Sequence, residues 1–160
     1  MQFVREIPPR EPSPLTNLSQ NWNISLPQIS SFSYYGEKTD EGIKSDVRET
    51  YETGTPRLKA RTLSRLKILA GLPRTQWHEG YFKKLSGPCE GLWEIRFEAD
   101  NIQQRPLGFH ISESEFLILF WAREKGDKFV PKKACEIALK RKTEVLANGD
   151  LRHALWLALE

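Results

Sequence analysis

The chain has 160 residues and 39% hydrophobic side chains, which suits one domain with its own core and a short appendage. No run approaches the roughly 20 consecutive apolar residues of a membrane-spanning helix. The N-terminus lacks the apolar centre of a signal peptide, so we expect no membrane partner. The formal net charge is only +3, which excludes neither a protein nor a nucleic-acid partner.

The spacing of cysteine and histidine gives no indication of a metal site. Cys89 and Cys135 lie far apart and form no C-x-x-C pair, and the three histidines show no ligand pattern. Two thiols without a disulfide framework are typical of a reducing cytosol. The sequence therefore predicts a cytoplasmic protein without a bound metal.

Positive charge is concentrated in the middle of the chain. Residues 57–96 contain nine Lys or Arg and three Asp or Glu, whereas residues 1–56 contain five and eight. A basic segment of this kind indicates a polyanionic partner. A basic segment is more often a solvated helix face than a binding surface, so motifs are needed to identify a partner.

Residues 1–30 form a predicted N-terminal extension, in which five prolines disfavour helix and central strand. The predicted domain covers residues 31–147. It begins with a strand over residues 32–35 and a short helix over residues 46–51, each ended by a nearby glycine.

A longer helix follows from Thr55. Thr55 is a favoured N-cap, Pro56 fits the first helical position, and Gly71 ends the helix. Leucines recur at near-helical spacing, which predicts a buried face, and arginines and lysines occupy the other surfaces.

Alternation in the next two strands assigns side chains to faces. In Leu92–Phe97 the apolar residues at odd positions face the predicted core, and Glu94 and Arg96 face the other way. In Arg105–Ile111 the residues Leu107, Phe109 and Ile111 form one apolar face, which predicts that His110 shares the side of Arg96.

The last third of the domain contains one more strand and a helix. The unbroken apolar run Phe116–Ala122 is typical of a strand covered on both faces near the centre of a sheet. A charged, glycine-containing segment over residues 123–128 follows, and Pro131 then opens a helix that reaches Val145. Residues 148–160 are predicted as a short, amphipathic C-terminal helix.

Three segments stand in a characteristic order: Lys83–Phe97 (KKLSGPCEGLWEIRF), Gln104–Ile111 (QRPLGFHI) and Phe116–Arg141. Together they resemble the RelE/HigB toxin superfamily in its phage-derived, HigB-like branch. That branch has a K-x-L-x-G…G-L-x-E-x-R strand and an arginine that opens the next strand. An apolar strand, a lysine-rich segment and an E-I-x-x-A-x-x-R helix follow, of which Glu136–Arg141 is an imperfect copy.

The resemblance implies an α+β, RelE-like fold, with N-terminal helices packed on a small, curved, mainly antiparallel sheet and with a C-terminal helix. It implies a toxin of a type II toxin–antitoxin system, a ribosome-dependent endoribonuclease that cleaves messenger RNA without a metal or other cofactor. Its partners would be the ribosome, messenger RNA and a cognate antitoxin.

Cleavage of RNA by its own 2′-hydroxyl needs two proton transfers and a group that stabilises the charge on the phosphorane. Arginine suits the stabilising role because it keeps its charge and binds phosphate bidentately. Arg96 and Arg105 are therefore predicted as catalytic phosphate-binding residues, with Lys125 as a further cation. His110 is the predicted proton-transfer group because histidine titrates near neutrality, and Glu94 is a second candidate base.

Other side chains are predicted to hold the RNA strand. Lys83 and Lys84 precede the first motif strand, and Arg123 and Lys128 follow the apolar strand, so all four are candidate backbone contacts. Trp121 is a candidate platform for stacking on a base.

Two other functions remain open. Related folds include inhibitors of DNA gyrase, which bind a protein and cleave nothing. A member that binds RNA or an antitoxin without cleavage is the second alternative. The absence of a clear acid–base pair in the sequence favours the first alternative.

Overall fold

The computed structural model describes residues 30–159, so the predicted extension lies, apart from Ser30, outside the described residues. Within residues 30–159 no helix is long and apolar enough to cross a membrane. In chain order the elements are β1 (Ser31–Tyr35), β2 (Glu37–Thr39), β3 (Gly42–Lys44), α1 (Asp46–Glu52), α2 (Pro56–Ala70), β4 (Phe82–Lys84), β5 (Trp93–Ile95), β6 (Phe97–Ala99), β7 (Ile102–Ser112), β8 (Glu115–Lys125), β9 (Lys128–Val130), α3 (Ala134–Ala147) and β10 (Arg152–Ala154).

The first two helices begin at side-chain caps. The Ser45 hydroxyl accepts a hydrogen bond from the Arg48 amide at 3.3 Å, and the Thr55 hydroxyl accepts one from the Leu58 amide at 3.1 Å. Pro56 occupies the first turn of α2, where its missing N–H removes no helical hydrogen bond. The two helices predicted in this part of the chain are confirmed.

The main sheet has the strand order β10-β1-β8-β7-β5-β4, with β6 paired to β7 and β9 paired to β8. β1 runs parallel to β8, and the other strand pairs are antiparallel. β2 and β3 form a separate hairpin. The predicted α+β class with a mainly antiparallel sheet is confirmed, and β8 lies inside the sheet as its apolar run predicts.

Helices cover both faces of the sheet. We call these faces the α2 face, where α1 and α2 pack, and the α3 face, where α3 packs. The predicted basic face is therefore not an open sheet surface. Buried strand residues of the α2 face include Phe32, Tyr34, Ile95, Phe97, Phe116, Ile118 and Trp121, and those of the α3 face include Leu107, Phe109, Leu117, Leu119 and Ala122.

The register between β5 and β7 decides which side chains share a face. Glu94 lies opposite Leu107 in this antiparallel pair. Directly opposite residues share a face, so Leu107 and its apolar stripe lie on the α3 face with Glu94. His110 consequently lies on the α2 face with Ile95, among the aromatic side chains described below. The prediction that His110 shares the side of Arg96 is wrong, because the apolar stripes of the two strands face two different cores.

The predicted C-terminal helix is wrong. The segment forms a 3₁₀ turn, Gly149–Leu151, and then β10, which pairs antiparallel with β1. His153 is buried and its Nε2 lies 2.9 Å from the Gly36 carbonyl oxygen. Trp156 packs against Tyr34 with ring centroids 4.8 Å apart. Strand pairing and core contacts therefore override the helical spacing of the leucines.

A disulfide joins Cys89, at the end of a 3₁₀ turn, to Cys135 in the first turn of α3. The prediction of two separate thiols is wrong. The cysteines are 46 residues apart, and they meet because α3 folds back over the turn that precedes β5. Disulfides are typical of oxidising compartments, so the cysteines no longer support a cytoplasmic location.

Candidate phosphate-binding site

A pocket lined by four arginines lies between α2, the loop before β4, and β5 to β7. We call it the arginine pocket. Its volume is about 340 Å³, which is within the range of small-ligand sites. The lining residues are Arg61, Arg65, Glu79, Gly80, Arg96, Phe97, Glu98, Gln103 and Arg105. The structure thus brings the predicted pair Arg96 and Arg105 together.

Arg96 is the predicted catalytic residue that is best placed to meet a ligand. It occupies the gap between β5 and β6, where its amide donates to the Tyr81 carbonyl at 2.8 Å. Its Nε lies 3.6 Å from Glu94 Oε1, and its Nη1 donates to the Glu79 carbonyl at 3.4 Å. The side chain remains 31% exposed. Most of its N–H donors have no partner among residues 30–159, so they are available to an anion.

Glu94 lies beneath Arg96 and is almost fully buried, with 4% exposure. Burial raises the pKa of its carboxyl group, and the nearby Arg105 and Arg96 guanidinium groups oppose that rise. Lys83, directly opposite on β4, opposes it as well. Glu94 is therefore a carboxyl group with a perturbed pKa next to a cationic pocket, which is a common feature of functional sites.

Arg105 is held by its own surroundings. Its Nε donates to Glu124 Oε2 at 2.7 Å, and its Nη1 donates to the Gln104 carbonyl at 2.9 Å. Its Nη2 donates to Gln103 Oε1 at 3.3 Å, and its side chain is only 5% exposed. These contacts hold Arg105 at the base of the pocket, where it binds the carboxylates of Glu94 and Glu124. Few of its N–H groups are therefore available to bind a ligand.

Two arginines of α2 complete the pocket, and the sequence reasoning assigned them no role. Arg61 and Arg65 are four residues apart, so they project from the same side of the helix. The Arg61 Nε donates to the Glu98 carbonyl at 3.0 Å, which ties α2 to β6. The i, i+4 spacing was the available signal, but the sequence alone does not show which side of α2 meets the strands.

His110 lies outside the arginine pocket. Its ring packs against Trp77, Phe82, Trp93 and Phe116, with centroid distances from 5.1 to 5.6 Å. Its Nε2 is buried and has no hydrogen-bond partner among residues 30–159. Burial, with a smaller effect of the Arg74 charge, lowers the pKa of His110 to about 4. The predicted proton-transfer role is therefore not supported, because the imidazole is enclosed by aromatic rings.

This environment predicts a pH dependence of stability. The pKa of His110 is about 4 in the fold against 6.5 ordinarily, so the fold favours the neutral ring. Its contribution is complete above pH 6.5 and is lost as the pH falls through 4, by at most about 3 kcal/mol. Urea unfolding of the wild type and of His110→Gln at several pH values should show the difference between them narrowing over that range. A constant difference would contradict this environment for His110.

Trp121 belongs to the core of the α2 face. It is 6% exposed, its Nε1 donates to Gln104 Oε1 at 2.9 Å, and its ring lies 6.0 Å from that of Phe97. Its predicted stacking on an RNA base is wrong, because both its ring and its polar atom are occupied inside the protein.

The remaining predicted cations of β8 and β9 lie on a hairpin. Lys125 pairs with Lys128 across a turn in which Gly126 and Asp127 have positive φ, 55° and 60°. Alternation along β8 places Arg123 and Lys125 on the side opposite Glu124, the residue that binds Arg105. None of the three cations lines the arginine pocket, so the structure does not bring them together with Arg96 there.

The lysines of β4 separate in the same way. Lys83 is exposed and stands opposite Glu94 on the α3 face, near the arginine pocket. Lys84 points to the other face, where its Nζ lies 5.8 Å from the centre of the Trp93 ring. Lys83 therefore lies beside Glu94, but neither lysine lines the arginine pocket.

Across residues 30–159 the structure contains no group of three or more histidine, cysteine or acidic side chains that could hold a metal ion. No protein-family model, no curated protein and no solved structure matches the chain. Any functional assignment therefore has to come from the arginine pocket itself.

Proposed function

We propose that the arginine pocket binds the phosphate backbone of RNA and that the chain is a RelE/HigB-type toxin of a type II toxin–antitoxin system. The observation that carries the proposal is Arg96. It is a partly exposed cation in a pocket with three further arginines, and its Nε is 3.6 Å from the buried carboxylate of Glu94. Arginine is the side chain best suited to bidentate recognition of phosphate.

The proposed reaction is cleavage of messenger RNA at the ribosome, by attack of the 2′-hydroxyl on the adjacent phosphate. Arg96 stabilises the negative charge that develops on the phosphorane, a contribution that is often the largest in such reactions. Glu94 is the carboxylate nearest to Arg96 and orients its guanidinium group, with Oε1 at 3.6 Å from Nε. Because Glu94 is 4% exposed and does not line the pocket, the 2′-hydroxyl gives its proton to solvent. The leaving 5′-oxygen takes its proton from solvent. No metal or organic cofactor takes part in this scheme.

The proposal requires a cytoplasmic chain with three partners, the ribosome, messenger RNA and a cognate antitoxin. An antitoxin would inhibit the toxin by placing acidic side chains against Arg96. Between β3 and β10, the chain order of two helices, the strands β4 to β9 and a further helix supports the proposed RelE-like fold.

Inducible expression in a bacterium, followed by mapping of cellular RNA ends, tests the function. Cuts within translated messages, in phase with codons, support the proposal. Growth arrest with intact messages and damaged DNA would instead support a gyrase inhibitor. Normal growth with intact messages would exclude both the RNA-cleaving toxin and the gyrase inhibitor. The remaining function would then be a binding protein that does not cleave RNA.

Arg96→Ala should reduce the rate of message cleavage by about 100-fold or more, because it removes a preorganised stabiliser of the developing charge. The matched control is Lys140→Ala, which removes an exposed cation on α3 outside the pocket. Circular dichroism should show both variants folded. Cleavage by Arg96→Ala at the wild-type rate would exclude the arginine pocket as the active site.

One observation favours a second function, an RNA- or antitoxin-binding protein that does not cleave. The aromatic enclosure of His110 removes the only predicted imidazole from the arginine pocket. A binding protein of this kind would bind RNA with Arg96-dependent affinity and leave the RNA intact in a purified translation system.

A further inference from the structure

Arg65 is in an unusual environment. Its guanidinium carbon lies 4.0 Å from the centre of the Tyr81 ring, which holds the planar group by a cation–π contact. Its Nε and Nη1 are buried and have no hydrogen-bond partner within residues 30–159. Buried donors without acceptors are rare in proteins because each costs free energy. Burial lowers the pKa of Arg65, and the nearby Arg61 charge lowers it further.

Arg61 is oriented by a single contact. Its Nε donates to the Glu98 carbonyl, and both terminal nitrogens remain without a partner among residues 30–159. The residue is exposed and lines the same pocket as Arg65. The two guanidinium groups thus form a cationic wall on α2, whereas Arg96 belongs to the strand wall.

The two walls of the pocket carry more available guanidinium groups than one phosphate group requires. Arg105 is committed to Glu124 and to two glutamine oxygens, so the available cations are Arg61 and Arg65 on one wall and Arg96 on the other. The pocket volume of about 340 Å³ is roughly ten times the share of one water molecule in the liquid. A single phosphate group would leave one wall without an anion.

We propose that Arg61 and Arg65 bind a second phosphate, next to the phosphate held by Arg96, so that the arginine pocket holds two consecutive phosphates of one RNA strand. This inference rests on the proposed RNA binding and does not require cleavage. Tyr81 is a positioning residue in this site, because it acts on the ligand through Arg65. A phosphate in this second site would contact Arg65 through Nη2, the terminal nitrogen that is not among its buried atoms.

The salt dependence of binding tests this assignment directly. The probe is a short, single-stranded 2′-O-methyl oligonucleotide, which cannot be cleaved because its 2′-oxygen carries no proton. For single strands, the slope of log affinity against log salt changes by about 0.7 for each phosphate neutralised. Arg61→Ala and Arg65→Ala together should make the slope shallower by about 0.7, Arg96→Ala by a similar amount, and all three by about 1.4. Lys67→Ala, an exposed change on a different side of the same helix and outside the pocket, should leave the slope unchanged.

Three results would overturn the inference. The first is an unchanged slope in the double variant Arg61→Ala/Arg65→Ala, with circular dichroism showing that it is folded. The second is a triple variant no shallower than Arg96→Ala alone, which would place all the arginines on one phosphate. The third is tighter binding of pyrophosphate or of a poly-glutamate peptide than of the oligonucleotide. Retained binding without cleavage would reject the nuclease proposal and leave the two-phosphate site intact, so the two failures are distinguishable.

Discussion

Replacing Arg105 with alanine is expected to lower the free energy of unfolding by about 3 to 5 kcal/mol. The guanidinium group is 5% exposed and lies 2.7 Å from the Glu124 carboxylate and 4.0 Å from that of Glu94. Its removal leaves the buried Glu94 with fewer compensating charges and leaves the Gln104 carbonyl without its donor. Urea unfolding followed by circular dichroism measures the loss.

A second substitution separates this explanation from simple loss of packing. Adding Glu94→Gln to Arg105→Ala removes the carboxylate that has become poorly compensated, so the double variant should regain part of the lost stability. Arg96→Ala is the matched single change, because Arg96 is partly exposed and should cost far less. If Arg105→Ala loses less than about 1 kcal/mol, the buried charge network contributes little to the fold.

Breaking the disulfide between Cys89 and Cys135 is expected to lower the free energy of unfolding by about 4 kcal/mol, mainly by increasing the entropy of the unfolded chain. The bond closes a loop of 46 residues, which includes β5 to β9 and therefore most strand residues of the arginine pocket. The measurement is urea unfolding with and without a thiol reductant.

The control is the double variant Cys89→Ala/Cys135→Ala, whose unfolding midpoint should not respond to reductant. A wild-type midpoint that is also unaffected, with both thiols shown to be free, would contradict the stabilising role. The outcome also bears on the proposed function. A cytoplasmic toxin has to remain folded with this bond reduced, so the reduced form is the one to test for RNA cleavage.

Much of the fold was accessible from the sequence because local signals and tertiary packing agree. The cap at Thr55 fixes the start of α2, and the apolar run of β8 correctly predicts a strand buried on both faces. The C-terminal segment was predicted wrongly because leucine spacing is a local signal. The pairing of β10 with β1 joins segments more than a hundred residues apart, so no local signal in the sequence predicts it.

The candidate site was predicted only in part, because strand alternation is also a local signal. Alternation fixes which residues of one strand share a face, and this placed Arg96 correctly opposite Ile95 and Phe97. Alternation does not fix which face of a two-sided sheet the next strand presents, and His110 was misplaced for that reason. Arg61 and Arg65 were missed because the rotation of α2 against the sheet depends on packing.

The pairing of β10 with β1 also determines the order in which the domain is completed during synthesis. β1 leaves the ribosome early, but its partners are β8, through contacts such as Ser31 to Ser114 across 83 residues, and β10 at residues 152–154. Until those partners emerge, both edges of β1 expose unpaired backbone groups, which invite wrong pairing. Contacts of such long range slow folding. The sheet therefore closes only after residues 152–154 have been synthesised, and until then a partner has access to the unpaired edges of β1.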